Sequence, residues 1–147
     1  MNFSFTKIVL SWFMILCALN VSAHGEDKSG PHGGFIRMPG AFHTEVVLKN
    51  PQSILIYLLD MDWRKPTVQD SQVTVTAATV AAAQTKIEGK CKVQEQAFLC
   101  EFPSGVDLTK KGELVVKANR EKMQGNEAKY ELPLKLKPAK VDHSGHH

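Results

Sequence analysis

Apolar and polar side chains alternate along several short stretches of this chain, and this pattern constrains the fold more than any other feature. In residues 130–137 every second residue is apolar, and Pro133 interrupts the polar set. Residues 73–77 alternate in the same way. Because a period of two places neighbouring side chains on opposite faces of a β-strand, we expect half-buried strands here. Proline lacks a backbone N–H, so the strand that contains Pro133 should lie at a sheet edge.

Other apolar segments predict the remaining strands. The continuous apolar run at residues 54–59 is typical of a central strand, and residues 44–48 and 114–118 predict two more. Residues 77–84 are rich in alanine and are compatible with a helix. Turn-forming residues separate these segments at 50–51, 60–66, 103–105 and 124–126. Strands at this spacing predict an all-β domain over residues 41–136, an immunoglobulin-like antiparallel β-sandwich of about seven strands.

The first 23 residues carry the pattern of a cleavable signal peptide. A single basic residue, Lys7, precedes an uninterrupted apolar run at residues 8–19, and Val21 and Ala23 are small enough for a peptidase site. The run is shorter than the about 20 residues that a membrane span needs. We therefore expect cleavage after Ala23, export to the periplasm and a mature protein with no membrane span. An uncleaved N-terminal anchor is the alternative.

The segments around the predicted sandwich differ from it in composition. Residues 24–40 are rich in glycine, proline and histidine and predict a flexible arm, and residues 137–147 predict a flexible tail. Acidic and basic residues are interspersed and the formal net charge is only +3, so the composition does not indicate a nucleic-acid partner. The sequence has no phosphate-binding glycine loop and no nucleophile elbow, and we do not expect an enzyme.

Cleavage of the signal peptide would leave two cysteines, Cys91 and Cys100. If residues 90–94 and 97–102 form a hairpin that turns at residues 95 and 96, the two cysteines face each other at a non-hydrogen-bonded position. Cα atoms there are about 4.5 Å apart, which a disulfide tolerates. An oxidising compartment favours the disulfide. The alternative is a Cu(I) site built from two thiolates.

All six histidines lie near the two ends of the mature chain, outside its strand-rich middle. His43 and Glu45 are two residues apart on a predicted strand, so their side chains project from the same face. His32 precedes two glycines, which permit a sharp turn. Imidazole and carboxylate are ligands for Cu(II), Zn(II) or Ni(II). We therefore predict a metal site from these three side chains, with Glu45 as a ligand or as the carboxylate that orients His43. The alternative is that these residues bind no metal: His32 lies in a flexible loop, His43 begins a strand, and Glu45 is a solvated charge.

One histidine at the start of the predicted mature chain and three in its tail extend this prediction. Cleavage after Ala23 would make His24 the first residue, and its α-amino group and imidazole together would suit Cu(II). A short histidine-rich tract in the tail should bind metal more weakly, as auxiliary ligands. The tract contains His143, His146 and His147.

Two other candidate ligand groups have simpler interpretations. Methionine sulfur is a soft ligand for Cu(I), but Met38, Met61 and Met123 are scattered along the sequence, and we expect them to pack in the core. Asp60 and Asp62 resemble part of a calcium loop but lack its further acidic positions, so we expect a turn there.

The segment that contains the predicted ligands resembles a known family. The sequence GPHGG at residues 30–34, followed after a short hydrophobic stretch by GAFHTEVV at residues 40–47, is similar to the N-terminal domain of some heavy-metal efflux (RND-type) periplasmic adaptor subunits and to small stand-alone periplasmic relatives. The resemblance covers roughly residues 30–80 and implies an immunoglobulin-like sandwich that contacts copper, zinc or a related ion. His32, His43 and Glu45 are the matching positions.

The same resemblance limits the expected function. The chain has no coiled-coil hairpin or barrel domain, so it does not correspond to a whole adaptor. A terminal His24 is also similar to the first residue of copper-resistance sandwich proteins. We expect a periplasmic metal-binding protein, for copper or zinc, that buffers the ion or delivers it to a heavy-metal efflux complex or another periplasmic protein. The alternative is an exported interaction module without metal, which docks on an envelope protein through an edge strand.

Overall fold

The computed structural model describes residues 29–134, so the predicted signal peptide, His24 and the predicted tail lie outside the described residues. The described part contains nine strands: β1 Phe35–Arg37, β2 His43–Asn50, β3 Ser53–Leu59, β4 Gln72–Thr79, β5 Ile87–Gln94, β6 Ala97–Glu101, β7 Gly112–Arg120, β8 Met123–Gln124 and β9 Ala128–Leu132. Every pairing among them is antiparallel. The predicted all-β, antiparallel class is confirmed. Within residues 29–134 we find no helix with the length and apolar character of a bilayer span.

The strands form one curled sheet in the order β1-β2-β3-β6-β5-β4-β7, and β8 and β9 both pair with β7. β5 joins the two halves of the sheet, because its first residues pair with β4 and its later residues pair with β6. Apolar side chains from both halves pack together in one core, which gives the sheet the character of a sandwich. The core includes Phe42, Val46, Ile56, Leu58, Val75, Leu114, Val116 and Tyr130.

Most predicted strands are present. β2, β3, β4 and β7 confirm the predictions at residues 44–48, 54–59, 73–77 and 114–118, and β3 is central, between β2 and β6. β9 confirms the first part of the predicted edge strand: it ends at Leu132, before Pro133, and among the described residues it pairs with β7 alone. Two short strands exceed the predicted number: β1 lies in the segment predicted as an arm, and β8 lies near a predicted turn.

The helix compatible with residues 77–84 is not formed. The first three of these residues belong to β4, and Ala77 and Thr79 are paired with Leu114 and Gly112 of β7. Helical geometry is confined to a 3-10 turn at Val80–Ala82. Pairing within the sheet and burial of Ala77 and Thr79 therefore override the helical preference of alanine.

The hairpin of β5 and β6 has the predicted register. Gln94 pairs with Ala97 at the turn, and Cys91 lies opposite Cys100. A disulfide joins the two cysteines across Cα atoms 4.0 Å apart, and Cys100 is fully buried in the core. The predicted disulfide is confirmed, and the alternative of two free thiolates for Cu(I) is excluded.

Three connecting segments meet at one end of the sandwich, which we call the loop end: residues 38–42, 60–71 and 121–127. They meet there because β2 begins and β3 and β7 end at this end of the sandwich. The backbone N–H of Asn126 donates to the carbonyl oxygen of Pro39 at 2.8 Å. The backbone N–H of Lys122 donates to the carbonyl oxygen of Asp70 at 3.0 Å. These bonds tie the three segments together.

Candidate functional site

β2 sends alternate side chains to opposite faces of the sheet. Val46 packs in the core, and the Oγ1 atom of Thr44 lies 2.6 Å from the hydroxyl oxygen of Tyr130, which is also a core residue. His43 and Glu45 therefore project from the other, outer face, as the sequence predicts. Both are buried there, and the exposed fraction of Glu45 is 0%. A buried carboxylate on an outer face requires a cover and hydrogen-bond donors.

A tight turn at residues 30–34 provides the cover. The backbone N–H of Gly33 donates to the carbonyl oxygen of Gly30 at 3.0 Å, and Gly33 has a φ of 77°, which glycine adopts without strain. A Cβ atom at Gly34 would lie 2.5 Å from the carbonyl oxygen of Val46 and 2.9 Å from Cγ of Glu45. Only glycine at position 34 lets the turn approach β2 this closely. The sharp turn expected after His32 is therefore present, and it lies directly over Glu45.

Both carboxylate oxygens of Glu45 are engaged by this turn. Oε1 accepts hydrogen bonds from the backbone N–H groups of His32 at 2.8 Å and Gly34 at 2.9 Å. Oε2 lies 2.7 Å from Nδ1 of the His32 ring. An ionised carboxylate only accepts, so we assign the imidazole proton to Nδ1 from this contact. In the neutral ring, Nε2 then keeps its lone pair.

The His32 ring is also fixed from its face. It stacks on the ring of Tyr57 with the centroids 3.6 Å apart and an angle of 1° between the planes. Tyr57 is the β3 residue paired with Glu45. Burial, followed by the negative charge of Glu45, raises the pKa of the Tyr57 phenol above its ordinary value. The His32 side chain is 32% exposed. Its ring is held by two residues and still reaches solvent.

His43 is held by a different group. It begins β2, is only 3% exposed, and its Nδ1 lies 3.2 Å from the carbonyl oxygen of Asp60. A carbonyl oxygen can only accept, so Nδ1 carries a proton, and in the neutral ring Nε2 again keeps the lone pair. The ring of Trp63 meets the His43 ring edge-on, with centroids 5.6 Å apart at 76°.

The turn that follows Asp60 is confirmed as a turn. The Asp60 Oδ1 atom accepts hydrogen bonds from the backbone N–H groups of Arg64 at 2.8 Å and Asp62 at 3.2 Å. The first of these bonds contributes most to lowering the pKa of the Asp60 carboxyl below its ordinary value. This carboxylate shapes the loop that holds His43.

The structure changes the predicted roles within the site. Glu45 orients His32, so the alternative in which Glu45 orients His43 is wrong. Within residues 29–134, no group of three or more His, Cys, Asp or Glu side chains is arranged to hold a metal ion. His24 and the tail histidines lie outside the described residues, so their roles as ligands stay predictions. The role of Tyr57 leaves no signal in the sequence, because its pairing with Glu45 depends on the register of β2 and β3.

The methionines differ from their predicted use. All three methionines of residues 29–134 are exposed, Met38 at 57%, Met61 at 52% and Met123 at 40%. The expectation that they pack in the core is therefore wrong. Each lies on a different segment of the loop end.

The comparisons with known proteins leave the family open. No protein-family model matches this chain, and no curated protein matches it. The chain is similar in structure to a DUF4426 family protein from Pseudomonas aeruginosa, with 16% sequence identity and a TM-score of 0.47, over 65% of this chain and 92% of that protein. A likeness at this distance carries no inference about function.

Proposed function

We propose that this protein binds a transition-metal ion in the periplasm. Copper is the preferred candidate, and zinc is the second. Nε2 of His32 is the ligand from the described part of the chain. The observation that carries the proposal is the contact between Nδ1 of His32 and the buried carboxylate of Glu45. Histidines that bind metals usually donate the other ring N–H to a carboxylate or a carbonyl, which fixes the ring and raises its basicity.

The burial of Glu45 supports this interpretation. Burial of a carboxylate is costly, and apolar side chains of similar volume often stabilise a fold as well as or better than buried ions do. Here the carboxylate accepts two backbone N–H groups and one ring N–H. The arrangement holds the His32 ring in one orientation. The side chain therefore loses less conformational entropy when it binds a metal ion.

A single imidazole binds metal weakly, so the site requires further ligands. His24 precedes the turn by a few residues and would add an imidazole and, at a mature N-terminus, an α-amino group. The histidines of the tail would act as auxiliary ligands. A site completed by the chain ends could release its ion readily. That would suit a protein that buffers copper or delivers it to an efflux or assembly partner.

Calorimetric titration with Cu(II) and Zn(II) tests the proposal on the mature protein, purified after export so that its natural N-terminus is kept. We expect His32→Gln to weaken the binding of both ions by about tenfold or more. His143→Gln is the matched control, since it removes one auxiliary imidazole, and should change the affinity by less than about threefold. Urea unfolding of both variants verifies that they are folded.

Equal affinities of the wild-type protein and a folded His32→Gln variant would overturn the assignment. If neither ion binds the wild-type protein, it does not buffer or deliver these metals. The edge of β9 that no other strand of residues 29–134 covers would then be the starting point for the alternative of an interaction module.

A further inference from the structure

We propose that the end of the sandwich opposite the loop end docks on an anionic phospholipid surface. The docking surface consists of the turn at residues 80–86, which combines exposed apolar side chains with Lys86, and of Lys110 and Lys111 beside that turn. It contains no residue of the proposed metal site, and docking does not depend on metal binding.

The register of three strands brings the parts of this surface together. Thr79 of β4 pairs with Gly112 of β7, and Gly112 also pairs with Leu132 of β9. The residues that follow Thr79 and those that precede Gly112 therefore meet at this end. The backbone N–H of Val80 donates to the carbonyl oxygen of Lys111 at 3.0 Å. The apolar turn and the lysine pair are thus direct neighbours.

The turn at residues 80–86 is an exposed apolar tip. Val80 is 48% exposed, and Ala81 and Ala83 are exposed as well. The backbone N–H of Ala83 donates to the carbonyl oxygen of Val80 at 3.2 Å and closes the turn. Binding to a membrane surface strengthens with the apolar area that enters the headgroup region and with the attraction of basic residues to anionic lipids. This tip offers the apolar part.

Lysines beside the tip offer the charge. Lys86, Lys110 and Lys111 are exposed, and none of them forms an ion pair with another of residues 29–134. Glu113 and Glu131 pair with each other one register row further into the sheet. The three lysines are therefore available to the phosphate groups of a lipid surface.

Asp107 offsets part of this charge. Hydrogen bonds from Thr109, and to a lesser extent the charge of Lys110, lower the pKa of the Asp107 carboxyl below its ordinary value. One carboxylate thus lies near three lysines, and the surface keeps a positive charge.

The chain also leaves the described residues at this end, because Leu132 is paired with Gly112. The sequence that follows, residues 135–147, contains three lysines and one acidic residue: Lys135, Lys137, Lys140 and Asp142. A lysine-rich segment therefore begins beside the docking surface. Each lysine close to an anionic bilayer strengthens binding by about fivefold at moderate salt.

Flotation with lipid vesicles tests the proposal on the mature protein, with EDTA present so that metal ions do not bridge protein and lipid. One set of vesicles contains equal parts of phosphatidylglycerol and phosphatidylcholine, and the other contains phosphatidylcholine alone. We expect binding to the anionic vesicles to be stronger by about tenfold or more and to fall steeply between about 0.1 M and about 0.5 M salt.

Two double variants with the same change of charge locate the surface. Lys110→Gln/Lys111→Gln should weaken binding to the anionic vesicles by about tenfold or more. Lys65→Gln/Lys122→Gln is the matched control, because it removes two exposed lysines from the loop end, and should bind within about threefold of wild type.

Val80→Ser tests the apolar tip and should weaken binding by about threefold or more. Since all the substituted side chains are exposed, the variants should fold normally, and urea unfolding verifies this.

Wild-type protein that binds neither set of vesicles, or both equally, would overturn the proposal. Equal losses in the two lysine variants would also overturn it, since they would indicate a general attraction of a basic protein to anionic lipid. Unchanged binding of Lys110→Gln/Lys111→Gln or of Val80→Ser would contradict docking through this surface and would point to residues 135–147 alone.

Discussion

Nδ1 of His32 lies 2.7 Å from Oε2 of Glu45, so a fully buried carboxylate on β2 orients an imidazole that reaches solvent. The same carboxylate accepts the backbone N–H groups of His32 and Gly34, which close the turn over it. Folding of the turn and orientation of the ring therefore depend on one side chain.

Glu45→Ala should be strongly destabilising. It removes the acceptor for three donors, two of them backbone groups, and we expect a loss of roughly 2–4 kcal/mol in the free energy of unfolding. Glu127→Ala is the matched control, because Glu127 is half exposed and solvent screens its ion pair with Lys117 at 2.9 Å, so its loss of stability should be much smaller. Urea unfolding measures both variants. Similar losses for the two would contradict the role given to Glu45.

Gly34→Ala should displace the turn. The new Cβ would lie 2.7 Å from Cγ2 of Val47 and 2.5 Å from the Val46 carbonyl oxygen, so we expect a loss of roughly 1–3 kcal/mol and weaker metal binding. Gly105→Ala is the control, since a Cβ there meets no atom within 4 Å. Its stability should change by less than about 1 kcal/mol. Thermal unfolding compares the pair, and equal effects would argue against close packing of the turn.

Reduction of the Cys91–Cys100 disulfide should lower the free energy of unfolding by roughly 2–3 kcal/mol, because the bridge closes a short hairpin. Thermal unfolding with and without a phosphine reductant measures the change. The double variant Cys91→Ala/Cys100→Ala should unfold near the temperature of the reduced protein, and the reductant should not change that temperature. If the reductant still lowers the unfolding temperature of the double variant, the loss of stability does not come from this disulfide.

Alkaline pH should destabilise the domain through Tyr130. Its buried hydroxyl donates to the Thr44 carbonyl oxygen at 3.0 Å, and burial raises the pKa of the phenol well above its ordinary value of 10.0. The unfolded chain releases this proton first, so the contribution of Tyr130 is complete below pH 10 and is lost as the pH rises above it.

Tyr130→Phe tests this dependence. The variant should lose roughly 1–2 kcal/mol at neutral pH and show a shallower decline above pH 10 than the wild type. Part of the decline remains, because the pKa of Tyr57, the other tyrosine of the chain, is also raised. The absorbance of tyrosinate follows ionisation. Full ionisation of both tyrosines near pH 10 in the folded protein would contradict the burial of Tyr130.

The strands and the disulfide were accessible from the sequence because local patterns determine them. Alternation fixes which face a side chain takes, and a two-residue turn at residues 95 and 96 fixes the pairing of Cys91 with Cys100. The segments that carry His32 and His43 are also evident in the sequence, at residues 30–34 and 40–47. Neither the alternation nor these short motifs determine which side chains meet across the fold.

The side-chain contact between Glu45 and His32 could not be predicted from local sequence patterns. A regular hairpin closed by Asn50 and Ser53 would place Leu58 opposite Glu45, but an irregularity between Leu48 and Asn50 shifts the register and places Tyr57 there instead. The turn at residues 30–34 then folds back onto that position through tertiary contacts, which leave no periodic signal. The exposure of the methionines was missed for a similar reason, since no alternation surrounds them.

Imidazole nitrogen NMR of the nitrogen-15-labelled mature protein is the most direct test of metal binding by His32. The resonances of His32 are assigned by their loss in His32→Gln. Before metal is added, Nδ1 should be protonated and Nε2 should carry the lone pair. On addition of Zn(II), the Nε2 resonance of His32 should shift while Nδ1 stays protonated against Glu45. An Nε2 resonance that does not move at saturating Zn(II) would contradict the account.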